Sequence, residues 1–138
     1  MRAKVRLLVA VDFSKASDRA VRAAAAIAKK VGAAVTFVHV RPSSDLKAAV
    51  VEGLGDLARL SPPRLRLELA RHYRQRLENA GRQIPGAETR LLVGWPAAVL
   101  SREAAKGYDL VVVGSRGRGA VSRALLGSTT QELLHRSR

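Results

Sequence analysis

Short runs of strand-forming residues alternate along this chain with stretches of helical periodicity, and few folds accommodate that order. Residues 5–11 (VRLLVAV) are nearly all apolar, as a strand covered on both faces should be. Residues 34–40 (AVTFVHV) carry the Val, Thr and Phe that favour a pleated strand. A third strand is expected at 88–93, after the Pro85-Gly86 turn, and a fourth at 110–113. Between the first two, residues 17–31 predict a helix with Ala20, Ala24, Ile27, Ala28 and Val31 on one face and Gly32 just beyond its end. Residues 41–63 sustain no period and suggest a loop with a short helix near 46–57. Residues 65–80 predict a helix whose inner stripe is Leu65, Leu69, Tyr73, Leu77 and Ala80. Pro96 opens a further helix with Val99, Leu100 and Ala104 inward and Gly107 closing it. A last helix is expected from Ser128 to about His135, with Ser128/Gln131 or Thr129/Glu132 as a capping box. The order β-α-β-α-β-α-β-loop-α predicts an α/β fold, an open parallel sheet with helices on both faces and right-handed crossovers. No repeat or linker divides residues 1–138, so one domain is expected.

Composition narrows the partners more than the fold. No apolar run approaches the roughly 20 residues of a membrane span. The N-terminus enters a strand without a signal-peptide pattern. The absence of cysteine excludes disulfides and thiolate metal sites. A cytoplasmic protein without membrane partners is the expectation. The net charge of +14 draws polyanions: nucleotides, nucleic acid or an anionic surface. Arg64, Arg66, Arg71, Arg74, Arg76 and Arg82 lie on the outer face of the 65–80 helix or just past it. Aromatic residues make up only 4%, which disfavours stacking on single-stranded nucleic acid.

The chemistry is expected at the carboxyl ends of the strands. Asp12 follows the first, Val40 ends the second, and Gly114-Ser115-Arg116-Gly117 follows the fourth. If the first and fourth strands are neighbours, Asp12 and Gly114 meet across a crevice. Asp12 either accepts hydrogen bonds from a ribose or a base amine, or shapes the turn into the next helix. A glycine-rich loop between a strand and a helix N-terminus forms an anion site. Arg116, Arg118 and Arg123 are within reach of phosphates there, or are simply solvated. The loop is neither a Walker A loop nor Gly-x-Gly-x-x-Gly, since Ser122 stands where the third glycine belongs. His39, His72 and His135 have no metal-site spacing, and His39 reads as a packed residue. Trp95 reads as a packing residue under a loop. Ser14, Ser115 and Ser128 have no His/Asp partner nearby in sequence, and no Gly-x-Ser-x-Gly elbow is present.

Taken together these segments resemble the universal stress protein family over nearly the whole length. The residues that carry the likeness are Val9-Ala10-Val11-Asp12-Phe13-Ser14, Phe37-Val38-His39-Val40, Gly94-Trp95-Pro96, and Asp109 through Gly114. Most specific is Gly-x2-Gly-x9-Gly-Ser/Thr, present as Gly114, Gly117, Gly127 and Ser128. The resemblance implies a Rossmann-like, ATP-binding domain with strand order 3-2-1-4-5. By that likeness Asp12 and the Val40 backbone hold the adenine end, lined by Ala10 and Val11. Val113 and Gly114 lie along the nucleoside. Gly117, Gly127, Ser128 and Thr129 hold the phosphates, with Arg116 beside them and magnesium or manganese accompanying the triphosphate. Family members run on into a fifth strand that commonly joins two subunits. This chain stops at His135-Arg136-Ser137-Arg138, so order 3-2-1-4 is expected, with the fourth edge covered by a partner copy or by another segment of the chain.

These expectations converge on an ATP-binding stress-response protein, a nucleotide-dependent sensor or regulator with little or no catalysis. ADP or another adenine nucleotide is an alternative ligand, and a homodimer or higher homo-oligomer an expected assembly. The rivals are a slow ATPase on the same site and a nucleic-acid-binding module using the basic 65–80 helix.

Overall fold

The protein is described by a computed structural model over residues 4–114. Its strands are β1 (Arg6–Ala10), β2 (Ala34–Arg41), β3 (Glu88–Val93) and β4 (Leu110–Val112). They form one sheet in the order β3-β2-β1-β4. All three pairings are parallel, with Val9 opposite Phe37 and Val112, and Val38 opposite Arg90. The order expected from the sequence is the order observed. The expected final helix lies outside the described residues, as do Arg116, Gly117, Gly127, Ser128 and Thr129.

The helices are α1 (Lys15–Val31), α2 (Asp45–Val51), α3 (Pro62–Gly81) and α4 (Pro96–Ala104), with a 3-10 turn at Gly55–Arg59. Successive strand residues point to opposite faces, and the core divides accordingly. On one face Leu7, Val9, Val35 and Phe37 pack against Val21, Ala24 and Ala28 of α1 and Leu77 of α3. On the other, Leu8 and Val38 meet Leu100 of α4. A satellite cluster joins Ala48 and Ala49 of α2 to Leu65, Leu69 and Tyr73 of α3. At about 25 cal/mol per Å2, burial of such side chains is the main favourable contribution.

Several boundaries differ from expectation for local reasons. Helix α1 starts at Lys15, two residues before the expected Ser17, because Ser14 caps it and accepts the Ser17 N–H at 3.1 Å. Helix α3 starts at Pro62, since proline suits a first turn that needs no amide donor. The inner stripe of α1 is Ala20, Val21, Ala24 and Ala28, whereas Ile27 and Val31 are 37% and 54% exposed. Small alanines bring the helix axis close to the sheet, and the contact is narrower than the apolar period. The stripe Leu65, Leu69, Tyr73 and Leu77 is buried as expected, with Ala80 half-buried.

Two polar ties brace the frame. Buried Glu103 of α4 pairs with Arg90 of β3 and, at 3.0 Å, with Lys106. At the opposite end of the sheet from the crevice, the Arg6 N–H donates to Asp109 Oδ2 at 2.8 Å. The Arg6 guanidinium donates to the carbonyls of Lys106 (3.1 Å) and Gly107 (3.2 Å) and lies over the Tyr108 ring.

Candidate functional site

The sheet order reverses at β1, whose neighbours are β2 and β4. That switch point is where an open parallel sheet leaves a crevice. Ala10 is half-buried at the end of β1, and Val11 is buried. The Val11 N–H donates to Val38 O at 2.8 Å. Its carbonyl meets His39 Nδ1 at 2.6 Å. A carbonyl oxygen only accepts, so Nδ1 is the protonated nitrogen of that bond. His39 is thus a packed, buried residue, as the sequence suggested, and its ring stacks on Tyr73 at 5.2 Å.

Asp12 builds the turn that follows. Its Oδ1 accepts the Ser14 N–H at 3.0 Å, and its own N–H donates to Ser17 Oγ at 3.1 Å. The turn-forming role is therefore realised, and the half-buried carboxylate sits at the crevice edge. Phe13 takes φ 65°, rare for a bulky residue and worth roughly 1–3 kcal/mol of strain. Its ring lies between His39 (4.5 Å) and the Arg76 guanidinium (4.7 Å).

Gly114, just beyond β4, presses on the first turn of α1. A Cβ there would lie 3.0 Å from the Ala16 carbonyl carbon and 3.1 Å from Ser17 N. Ser17 thus touches both ends of the crevice, bonding Asp12 with its hydroxyl and abutting Gly114 with its backbone. Asp12 and Gly114 are brought together as the sequence predicted for adjacent first and fourth strands. Val113 is half-buried beside Gly114.

The second strand runs one residue past the expected Val40, to Arg41, and the Val40 side chain packs on the α4 face. Val38 O accepts from the β1 side and Arg41 O accepts the Gly94 N–H at 3.0 Å from the β3 side. Carbonyls alternate along a strand, so the Val40 peptide groups face the β1 side, past the end of that strand. Next to Val40 opens a cavity of about 360 Å3, lined also by residues 42–44, Lys47 and residues 94–96. Trp95 stands at its wall and is 63% exposed. It stands at the N-cap of α4. Arg41 Nη2 binds Asp45 Oδ1 at 2.7 Å, and that hydrogen bond holds the Asp45 carboxyl below its usual range.

Sequence reasoning missed Ser17, the Phe13 backbone and the exposure of Trp95. A serine five residues after the aspartate was the available signal for the first, and the Gly-x-Pro turn for the third. Among the described residues, no group of three or more His, Asp or Glu stands together to hold a metal. On α3, Arg76 turns inward to Glu52 at 3.3 Å, and Arg66 and Arg71 pair with Asp45 and Glu68. Among the described residues, no helix is long and apolar enough to cross a membrane.

Known proteins with this arrangement share a family. The profile described as Universal stress protein family matches residues 5–138. Universal stress protein YxiE of Bacillus subtilis is 30% identical over 133 residues, covering 93% of this chain and 90% of that protein. The structure of universal stress protein UspA from Lactobacillus plantarum superimposes with a TM-score of 0.69 at 26% identity, covering 99% of this chain and 94% of that one. A universal stress protein in complex with cAMP aligns with a TM-score of 0.60 at 26% identity, covering 99% and 93%. With the strand order, the crevice at its reversal and a profile match over almost the whole length, the chain belongs to the universal stress protein family.

Proposed function

We propose that residues 1–138 act as one domain that binds an adenine nucleotide, ATP foremost, in the crevice between the ends of β1, β2 and β4. The observation that carries this reading is the meeting of the Asp12 turn and Gly114 on Ser17. It joins a carboxylate acceptor to the start of the glycine loop. The likeness to a family member holding cAMP supports an adenine ligand. Asp12 accepts from the ribose hydroxyls, and the Val40 peptide groups meet the base edge, with Ala10, Val11 and Val113 alongside. Arg116, Gly117, Gly127, Ser128 and Thr129 supply the phosphate end. Magnesium or manganese arrives with the triphosphate, which usually provides most of its oxygens.

Within this reading the protein is a cytoplasmic, nucleotide-dependent stress sensor or regulator, with little catalysis of its own. The β4 strand lies at the sheet edge among the described residues, with Leu110 exposed, which favours a homodimer. The decisive experiment is to denature the purified protein and separate the released small molecules by anion exchange. Adenine nucleotide near one per chain is the expected result. An empty protein that also ignores added ATP with magnesium sinks the reading.

A further inference from the structure

We propose that the outer surfaces of α1 and α3 together form a docking face for double-stranded DNA, holding its phosphates without reading its sequence. This inference does not rest on the nucleotide reading.

Helical spacing turns the basic residues of α1 to one side. Ala20, Val21, Ala24 and Ala28 are buried against the sheet, while Lys15, Arg19, Arg22, Lys29 and Lys30 are exposed on the opposite surface of the helix. Asp18 is the only acid in that helix. In α3, Leu65, Leu69, Tyr73 and Leu77 are buried, while Arg64, Arg71, Arg74 and Arg82 are exposed on the outer side or just past its end. Its only acids are Glu68 and Glu78, and Glu68 pairs with Arg71 at 3.4 Å. Among the described residues, no carboxylate pairs with any of the five α1 cations, nor with Arg64, Arg74 or Arg82. Exposed helix surfaces ordinarily mix both signs and pair them three or four residues apart. Here one sign dominates two rows.

The rows are neighbours because both helices cover one face of the sheet, where Leu77 of α3 joins Val21, Ala24 and Ala28 of α1 in one core cluster. On the other face the described helix is α4, where buried Glu103 holds both Arg90 and Lys106, and α4 adds the single exposed cation Arg102. A field polarised in this way attracts a polyanion to one side of the molecule. Packed helices have axes about 8–10 Å apart. That is close to the roughly 12 Å of the B-DNA major groove, whose phosphates line both of its sides. From Arg64 to Arg82 the α3 row runs about 27 Å at 1.5 Å per residue. One DNA strand presents about eight phosphates over that length. Guanidinium forks, which make up the α3 row, bind phosphate in bidentate fashion. Tyr73 is the only Phe, Tyr or Trp in the two helices and is buried, so the face has no platform for unpaired bases, which favours a duplex over a single strand. The narrow A-form major groove matches the row spacing less well, which favours DNA over RNA.

The test measures binding of a labelled mixed-sequence DNA duplex by fluorescence anisotropy as salt is raised, for the parent, Arg22→Glu, Arg74→Glu and Arg102→Glu. The last makes the same charge change on the other face. The parent should lose at least about 100-fold in affinity between about 50 and 200 mM salt. Arg22→Glu and Arg74→Glu should each bind roughly 10-fold more weakly, with a salt slope flatter by about one, and Arg102→Glu should stay within about 2-fold of the parent. Thermal scans check that the variants fold, and Arg22→Ala with Arg74→Ala repeats the comparison if reversal lowers the Tm. Parallel arms use a duplex RNA of the same sequence and vesicles of equal parts phosphatidylserine and phosphatidylcholine. Absence of duplex DNA binding at low salt overturns the proposal. So does an equal loss in Arg102→Glu, which would mean net charge and not this face is responsible. RNA bound as tightly as DNA, or vesicles bound more tightly than DNA at the same salt, also overturns it.

Discussion

Two strand-to-helix turns at the same edge of the sheet solve one geometric problem in opposite ways. After β1, Asp12-Phe13-Ser14 draws its aromatic inward between His39 and Arg76 and tolerates φ 65° on a phenylalanine. After β3, Gly94-Trp95-Pro96 gives the unusual φ to a glycine and leaves its aromatic nearer the surface. The first turn stores strain against packing and hydrogen bonds, which makes it rigid and intolerant. The second is relaxed in its backbone and spends its aromatic on surface. The difference separates a turn that holds a carboxylate in place from a turn that offers a face.

Mutations sharpen this contrast, beginning with the largest effect. Phe13→Ala should destabilise the protein by about 3 kcal/mol in urea unfolding, since the ring joins two core clusters. Phe13→Gly should be the better tolerated of the two by about 1 kcal/mol, because only glycine is at ease at positive φ. If alanine proves the milder, the strain is not there. Next comes Gly114→Ala, expected to lower stability by about 1–3 kcal/mol, because the new methyl meets backbone of α1 and not a side chain that can swing away.

A smaller effect belongs to Asp45, which lies in the segment bordering the second turn. Asp45→Asn should lose about 0.2–1 kcal/mol at neutral pH. Arg41 lowers the folded-state pKa of Asp45, so this contribution is present above the unfolded pKa and fades as pH falls through the folded value. Unfolding of parent and variant compared across acidic pH should therefore show the gap closing toward low pH. A gap that widens on acidification contradicts the pair. Smallest of all is Trp95→Ala, expected to shift stability by no more than about 0.5 kcal/mol. A thermal or urea scan showing a loss as large as that of Phe13→Ala would erase the contrast between the turns.

The alternation of strand and helix signals was enough to predict a parallel sheet with helical crossovers, whereas its order came from the resemblance to the universal stress protein family. The Asp12–Gly114 meeting followed from that order. Less was visible where a residue's surroundings depend on distant geometry. Periodicity put Ile27 and Val31 on the apolar face of α1, but it cannot say how wide a helix footprint is when its centre is alanine. It could not show how exposed Trp95 would be at the start of α4. A positive φ at Phe13 had no sequence signal, since nothing in a phenylalanine announces it. The phosphate-side residues from Arg116 to Thr129 were read from motif spacing alone.

The Arg6 cluster carries a mechanical consequence. Backbone and guanidinium bonds to Asp109, Lys106 and Gly107 rivet β1 to the approach of β4 at their amino ends. The ladder between them runs only to Val9 and Val112. The two strands are therefore tied most firmly at their amino ends, and their carboxyl ends at Asp12 and Gly114 part without ladder bonds between them.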